Sequence, residues 1–192
     1  MLDEKVLEEI KKCAEVMAAG GLILYPTDSI WGIGCDATNA AAVEKVFALK
    51  KRNSAQSLIS LVSDNSMLNK CVREVPSAAW DIMEYSEKPV TIVYDNAFML
   101  AENVVGEDGT AAIRLTKDEF CNRLVHKFKK PVISTSANIS GEPNAETFHD
   151  ISNEIKSGVD YIVRYRQHEK KQVKPSSVIQ IKNNGVIKII RK

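Results

Sequence analysis

No stretch of this 192-residue chain approaches the roughly 20 consecutive apolar residues that a membrane-spanning helix needs. The opening residues, MLDEKVLEEIKKCAEVMAAGG, are charged and amphipathic, without the basic-then-apolar order of a secretory signal. A cytoplasmic protein is expected. Cysteine is sparse: Cys13, Cys35, Cys71 and Cys121 lie far apart, with no CxxC pair and no neighbouring His. Zinc needs clustered ligands, and disulfide frameworks suit small secreted chains, so no metal site and no cross-link are expected. The four read as reduced, small apolar residues. Neither GxxxxGK[ST] nor GxGxxG occurs, which removes the P-loop and dinucleotide fingerprints. His126, His149 and His168 have no signature context, and no Ser-His-Asp arrangement stands out. There is no internal repeat and no low-complexity linker, and the length suits one domain over residues 1–192.

Net charge is also nearly absent at +1, but it is unevenly spread. From Asp160 to Lys192 nine bases face two acids, a local excess of seven, which leaves the preceding part six negative. A basic end suits phosphates, of a nucleotide or of RNA, and equally suits a solvated strand edge guarded by lysines.

Hydrophobic periodicity alternates between the two regular structures. Asp3–Ala19 places Val6, Ile10, Cys13, Val16 and Met17 at helical spacing before Gly20-Gly21. Leu22–Tyr25 is a short strand stopped by Pro26, and Asn39 caps a helix running to Lys50. Ser57–Val62, Val90–Tyr94, Ala111–Leu115 and Pro131–Ser134 read as strands. Asp64–Cys71, Pro76–Tyr85 and Lys117–Lys129 read as helices, and 145–157 contains another, ended by Gly158. Phe98–Gly109 is polar, with room for a short hairpin. Tyr161–Tyr165, Ser177–Lys182 and Val186–Ile190 complete the strands, the last two joined by the tight-turn signal Asn183-Asn184-Gly185. This is an α/β pattern with a mixed, twisted sheet and flanking helices.

Four segments stand out chemically. Tyr25–Ala37 (YPTDSIWGIGCDA) packs Thr27, Asp28, Ser29, Gly32 and Gly34 after a strand. It suits a polar ligand at a sheet rim, or a plain strand-turn-strand. Lys50, Lys51 and Arg52 close a helix. They complement its dipole, or clamp phosphates. Pro131–Thr147 (PVISTSANISGEPNAET) runs a strand into small hydrogen-bonding residues, as in a nucleotide-binding loop or an ordinary polar one. Arg114 sits inside an apolar strand, which requires an acid of the protein or a ligand carboxylate. Asp28 is open to two roles, a base or the cap of a turn.

Taken in order, YPTDSIWGIG, KKR, QSLI, TAAIR, TSANISG, SSV and IIR resemble YPTETxYGLG, KxR, NPLI, TVAVR, PSANxSG, STV and a final Arg. That is the pattern of the bacterial YrdC-like threonylcarbamoyl-AMP synthases, and it covers nearly the whole chain. The resemblance implies a fold with a large concave basic cleft. It also implies formation of threonylcarbamoyl-AMP and pyrophosphate from threonine, bicarbonate and ATP with Mg²⁺. Partner enzymes would then transfer the group to tRNA. Ser29, Arg114, Ser134 and Ser176 fall where the family contacts threonine, with Thr27 in the same motif. Lys50 and Arg52 match the KxR pair that meets phosphates, and are the catalytic candidates. Gln56, Thr110, Ser136, Asn138, Asn144 and Arg191 align with the nucleotide side.

The chain departs from the pattern at several positions. Gln56-Ser57 replaces Asn-Pro, Asn53 follows Arg52 where Pro is usual, Leu61 replaces a His, and Thr135 replaces Pro. Glu87–Thr91 replaces PGPxT. The alternative is a divergent paralogue that binds nucleotide or double-stranded RNA without making the adenylate.

Overall fold

The computed structural model describes residues 2–53, 57–169 and 175–192. The first helix, α1 (Glu4–Ala18), starts where the Asp3 carboxylate accepts from the N–H groups of Lys5 and Val6. It buries Val6, Ile10, Cys13 and Met17. Then follow β1 (Ile23–Tyr25), β2 (Gly32–Gly34) and α2 (Ala40–Lys50), the last capped by the Asn39 side chain. β3 (Ile59–Val62), α3 (Asn65–Asn69), α4 (Ser77–Tyr85), β4 (Val90–Tyr94) and β5 (Ala111–Leu115) come next. α5 (Glu119–Phe128) begins at the Asp118 cap, and β6 (Val132–Ser136), α6 (Asn153–Ser157), β7 (Tyr161–Ile162), β8 (Ser177–Ile181) and β9 (Ile187–Arg191) complete the chain.

All nine strands join one mixed sheet in the order β7-β1-β2-β6-β3-β5-β4-β8-β9. β1/β7, β3/β5 and β4/β8 pair in parallel; the remaining neighbours are antiparallel. The period-2 alternation of β1 divides the layers. Leu24 faces a cluster with Ile33, Val43, Val46 and Phe47, so α2 covers that side. Ile23 and Tyr25 face Ile10, Met17, Phe120 and Leu124, so α1 and α5 cover the other. A third cluster of Leu68, Met83, Ile92 and Ile113 fills the space under α3 and α4. Each fully buried aliphatic contributes about 1.5–3 kcal/mol. The four cysteines are free and buried, as small apolar residues.

Several expected boundaries shift, each for a local reason. β6 runs to Ser136, two residues past the expected end, because Ser136 and Thr135 pair with Gly32 and Ile33 of β2. The helix expected within 145–157 is α6, ended by Gly158 as expected; it starts only at Asn153 because the Asp150 carboxylate accepts from Thr147 N–H and Oγ1 (2.9 and 2.7 Å), a turn that competes with helix. β7 stops at Ile162 because its neighbour among the described residues is the three-residue β1, and Arg164 N–H turns away to Glu9 (2.9 Å). Residues 98–109 form turns rather than a hairpin; Ala97 makes one isolated bridge to Val72. No helix among the described residues is long and apolar enough to cross a membrane.

Candidate functional site

Six adjacent strands, β2-β6-β3-β5-β4-β8, present one continuous row of residues on the same face. The row is Gly32, Ser134 and Ser136, Ile59, Ala112 and Arg114, Val93, and Val178. Above it lies a cavity of about 300 Å³. Its walls come from the β1–β2 loop (Ser29, Ile30, Trp31), from the residues after α2 (Arg52, Ser57, Leu58), from Asn144, and from Pro175, Ser176, Ile190 and Arg191. Small residues keep the floor open. A Cβ on Gly32 would come within 3.3 Å of both Ser134 Oγ and the Thr135 carbonyl.

Three guanidinium groups from three elements converge here, and no carboxylate is among the described lining residues. Arg52 donates from Nη2 to the Ser57 carbonyl (2.8 Å) and from Nη1 to Thr135 Oγ1 (3.4 Å), while its buried Nε has no hydrogen-bond partner among the described residues. Arg191 donates from Nε and Nη2 to the Ser176 carbonyl (3.0 and 2.9 Å). Burial lowers the affinity of both for the proton, with Arg114 adding to the effect on Arg191. Arg114 is 3% exposed on β5. Its Nη2 lies 3.3 Å from Asp28 Oδ1, its Nη1 reaches Ser29 Oγ at 3.5 Å, and its buried Nε has no hydrogen-bond partner among the described residues. Arg114 thus has a protein acid beside it, at a loose distance. Burial raises the Asp28 pKa, and Arg114 opposes that shift.

The loop carrying Asp28 and Ser29 is set by Thr27. Its Oγ1 accepts from Ser29 N–H (3.0 Å) and donates to the Ile30 carbonyl (2.7 Å). Thr27 is thus buried beneath the cavity loop rather than in the cavity wall. Ser176 is held by a hydrogen bond between its Oγ and Thr91 Oγ1 (2.9 Å).

The structure brings Ser29, Arg52, Arg114, Ser134, Ser136, Asn144, Ser176 and Arg191 around one cavity. Lys50 lies beside it, 1% exposed, and donates from Nζ to the carbonyls of Ser136 (2.5 Å) and Asn138 (2.6 Å). Burial, then the charge of Arg52, lowers its pKa to about 8. Asn138 is likewise turned into its own loop, with Nδ2 donating to the Glu142 carbonyl (2.6 Å). Thr110 caps a turn through Asp108, outside the lining. Gln56 lies outside the described residues. Of the departures, Thr135 and Ser57 touch Arg52, whereas Leu61 is fully buried in the core under α1 and α5.

Three contributors have no positive site role in the sequence reading, although Thr135 and Thr91 lie at its departures from the family pattern. Trp31 lines the cavity and packs on Phe148, with ring centroids 4.9 Å apart. Thr135 and Thr91 position Arg52 and Ser176. Thr91 carried a usable signal, a polar residue two before the cavity-facing Val93 in an otherwise apolar strand.

Comparison with known proteins places this geometry. Residues 15–192 match the family model of the Sua5/YciO/YrdC domain, described as "Telomere recombination". The threonylcarbamoyl-AMP synthase of Hahella chejuensis is 33% identical over 153 residues, 79% of this chain and 83% of that protein. Among solved structures, Sua5 of P. abyssi complexed with L-threonine superposes with a TM-score of 0.81 at 23% identity, over 94% of this chain; the chain spans 52% of that protein. YciO of E. coli gives a TM-score of 0.83 at 20% identity, over 100% of this chain and 91% of that one. A match across nearly the whole sequence and a shared fold lead to one conclusion: the chain belongs to the Sua5/YciO/YrdC family.

Proposed function

We propose that the protein is a threonylcarbamoyl-AMP synthase, joining threonine, bicarbonate and ATP with release of pyrophosphate, in the service of tRNA modification. The observation that carries the reading is the convergence of Arg52, Arg114 and Arg191 on a hydroxyl-lined cavity whose described lining has no carboxylate. Such a cavity suits substrates that are all anionic or zwitterionic. Relatives named for this activity support it.

In this reading the threonine amine attacks the carbon of bicarbonate and water leaves, giving N-carboxy-threonine. Its new carboxylate oxygen then attacks the α-phosphorus of ATP, and the bond to pyrophosphate breaks. Arg114 holds the threonine carboxylate, with the hydroxyls of Ser29, Ser134 and Ser176 near it and Thr27 shaping the loop. Arg52 and Arg191 meet the phosphates, and Arg52 answers the charge that grows on departing pyrophosphate. Ser136 and Asn144 serve the nucleotide side; Thr110, turned to Asp108 outside the lining, acts there only by shaping the start of β5. Lys50 acts by holding the Ser136–Asn138 loop in place as well as by its charge. The described lining makes no Mg²⁺ site of its own, so the ion arrives on the triphosphate. The whole chain acts as one unit, because this cavity draws on residues from the first loop to the last strand, and as a cytoplasmic protein that hands its product to tRNA-modifying partners.

A direct test is mass detection of the adenylate after incubation with ¹³C-bicarbonate, threonine and ATP. A labelled threonylcarbamoyl-AMP is expected; unlabelled AMP alone contradicts the reading. A second reading, nucleotide or RNA binding without turnover, draws on one observation: Arg52 is engaged by Ser57 and Thr135, both departures from the family pattern. It predicts RNA affinity that falls steeply with salt and no product.

A further inference from the structure

The three cavity arginines are not equivalent. Arg52 and Arg191 donate to neutral oxygens, the Ser57 and Ser176 carbonyls and the Thr135 hydroxyl. Arg114 alone among them has a carboxylate within reach, Asp28 Oδ1 at 3.3 Å. Asp28 is not part of the cavity wall. It lines a neighbouring space of about 290 Å³, shared with Ser86, Lys88, Lys117 and Asp118. It therefore touches Arg114 from behind and leaves the cavity side of the guanidinium open. The Thr27 turn fixes this approach, since its Oγ1 is tied to the backbone of Ser29 and Ile30 just after Asp28.

We propose that Asp28 sorts the substrates by charge: by partly neutralising Arg114 it makes that guanidinium a seat for a carboxylate monoanion and leaves the polyanionic phosphates to Arg52 and Arg191. This rests on the reading that an amino-acid carboxylate and a triphosphate share the cavity. An uncompensated buried guanidinium prefers the more highly charged anion, and a fixed negative charge a few ångströms behind it removes that preference. Asp28 is thus a specificity-determining residue that acts through Arg114. The device is also pH-sensitive. Burial raises the Asp28 pKa, so acidification neutralises it earlier than an ordinary carboxylate. The charged groups facing it are Arg114 on β5, Asp118 at the start of α5, Arg166 beyond β7, and Glu87, Lys88 and Lys117 across the neighbouring space.

The test uses sulfate, a dianion of fixed charge, as a competitor of threonine and of ATP in calorimetric titrations of the full chain, which need no turnover. In Asp28→Asn, sulfate should compete with threonine about tenfold more strongly than in the parent, while its competition with ATP changes less than about twofold. Asp28→Glu should match the parent. Sulfate competition in the parent should also strengthen toward acid pH, and this step should vanish in Asp28→Asn. Unchanged sulfate–threonine competition in Asp28→Asn overturns the proposal. So does a joint loss of threonine affinity and thermal stability without a gain in sulfate affinity, which marks a purely structural role. A parent protein that binds no threonine at all removes the functional reading first, and the proposal with it.

Discussion

Arg52 carries the heaviest chemical assignment, and its surroundings say how it would fail. Two of its N–H groups are tied to Ser57 and Thr135, which aims the fork, and its buried Nε has no partner among the described residues. Arg52→Ala should lower the rate of adenylate formation by about 100-fold while threonine affinity stays within about threefold, read by single-turnover kinetics beside threonine titration. Arg52→Lys should recover only part, since a point charge lacks the fork. Lys50 makes a separate prediction. Its pKa of about 8 means that the ammonium is present at neutral pH and is lost as pH rises through that value. Two carbonyl acceptors then share a neutral amine, and the Ser136–Asn138 loop loosens. Activity should fall on the alkaline side with a midpoint near 8. Lys50→Arg, which cannot titrate there, should lack that limb in the pH–rate profile.

At the scale of elements, the site works because alternate residues of six strands share one face. β2 sits tightly between β1 and β6: a Cβ on Gly34 would come within 2.7 Å of the Tyr25 ring and 3.0 Å of the Ile133 carbonyl. Gly34→Ala should therefore cost about 1–3 kcal/mol in chemical denaturation and disturb the Ser29 loop that β2 anchors. These elements also set how much could be read in advance. β4 and β5 announce themselves by β-branched runs, and α1 and α2 by their apolar spacing with Asp3 and Asn39 as caps. β2 does not, because three residues with two glycines carry no alternation to detect. The helix expected within 145–157 is there and ends at Gly158 as expected, but its start at Asn153 was not legible, because a Thr–Asp turn invisible to hydrophobic periodicity takes the preceding backbone. Arg114 was legible as an anomaly, a cation in an apolar strand. Its partner Asp28 was not, because that contact joins positions far apart in the chain.

For the whole molecule, the cavity is a product of sheet order rather than of any one motif. The KKR segment, the TAAIR strand, the SAN loop and the last strand meet only because β3, β5, β6, β8 and β9 lie together in the sheet. If this cavity gathers threonine, bicarbonate and ATP as proposed, it should turn over only with all three. The decisive measurement is pyrophosphate release from ATP by the purified protein with threonine and bicarbonate, omitting each in turn. Release that requires both threonine and bicarbonate is the predicted result. Pyrophosphate release that ignores threonine, or none at all while ATP still binds, would contradict the account.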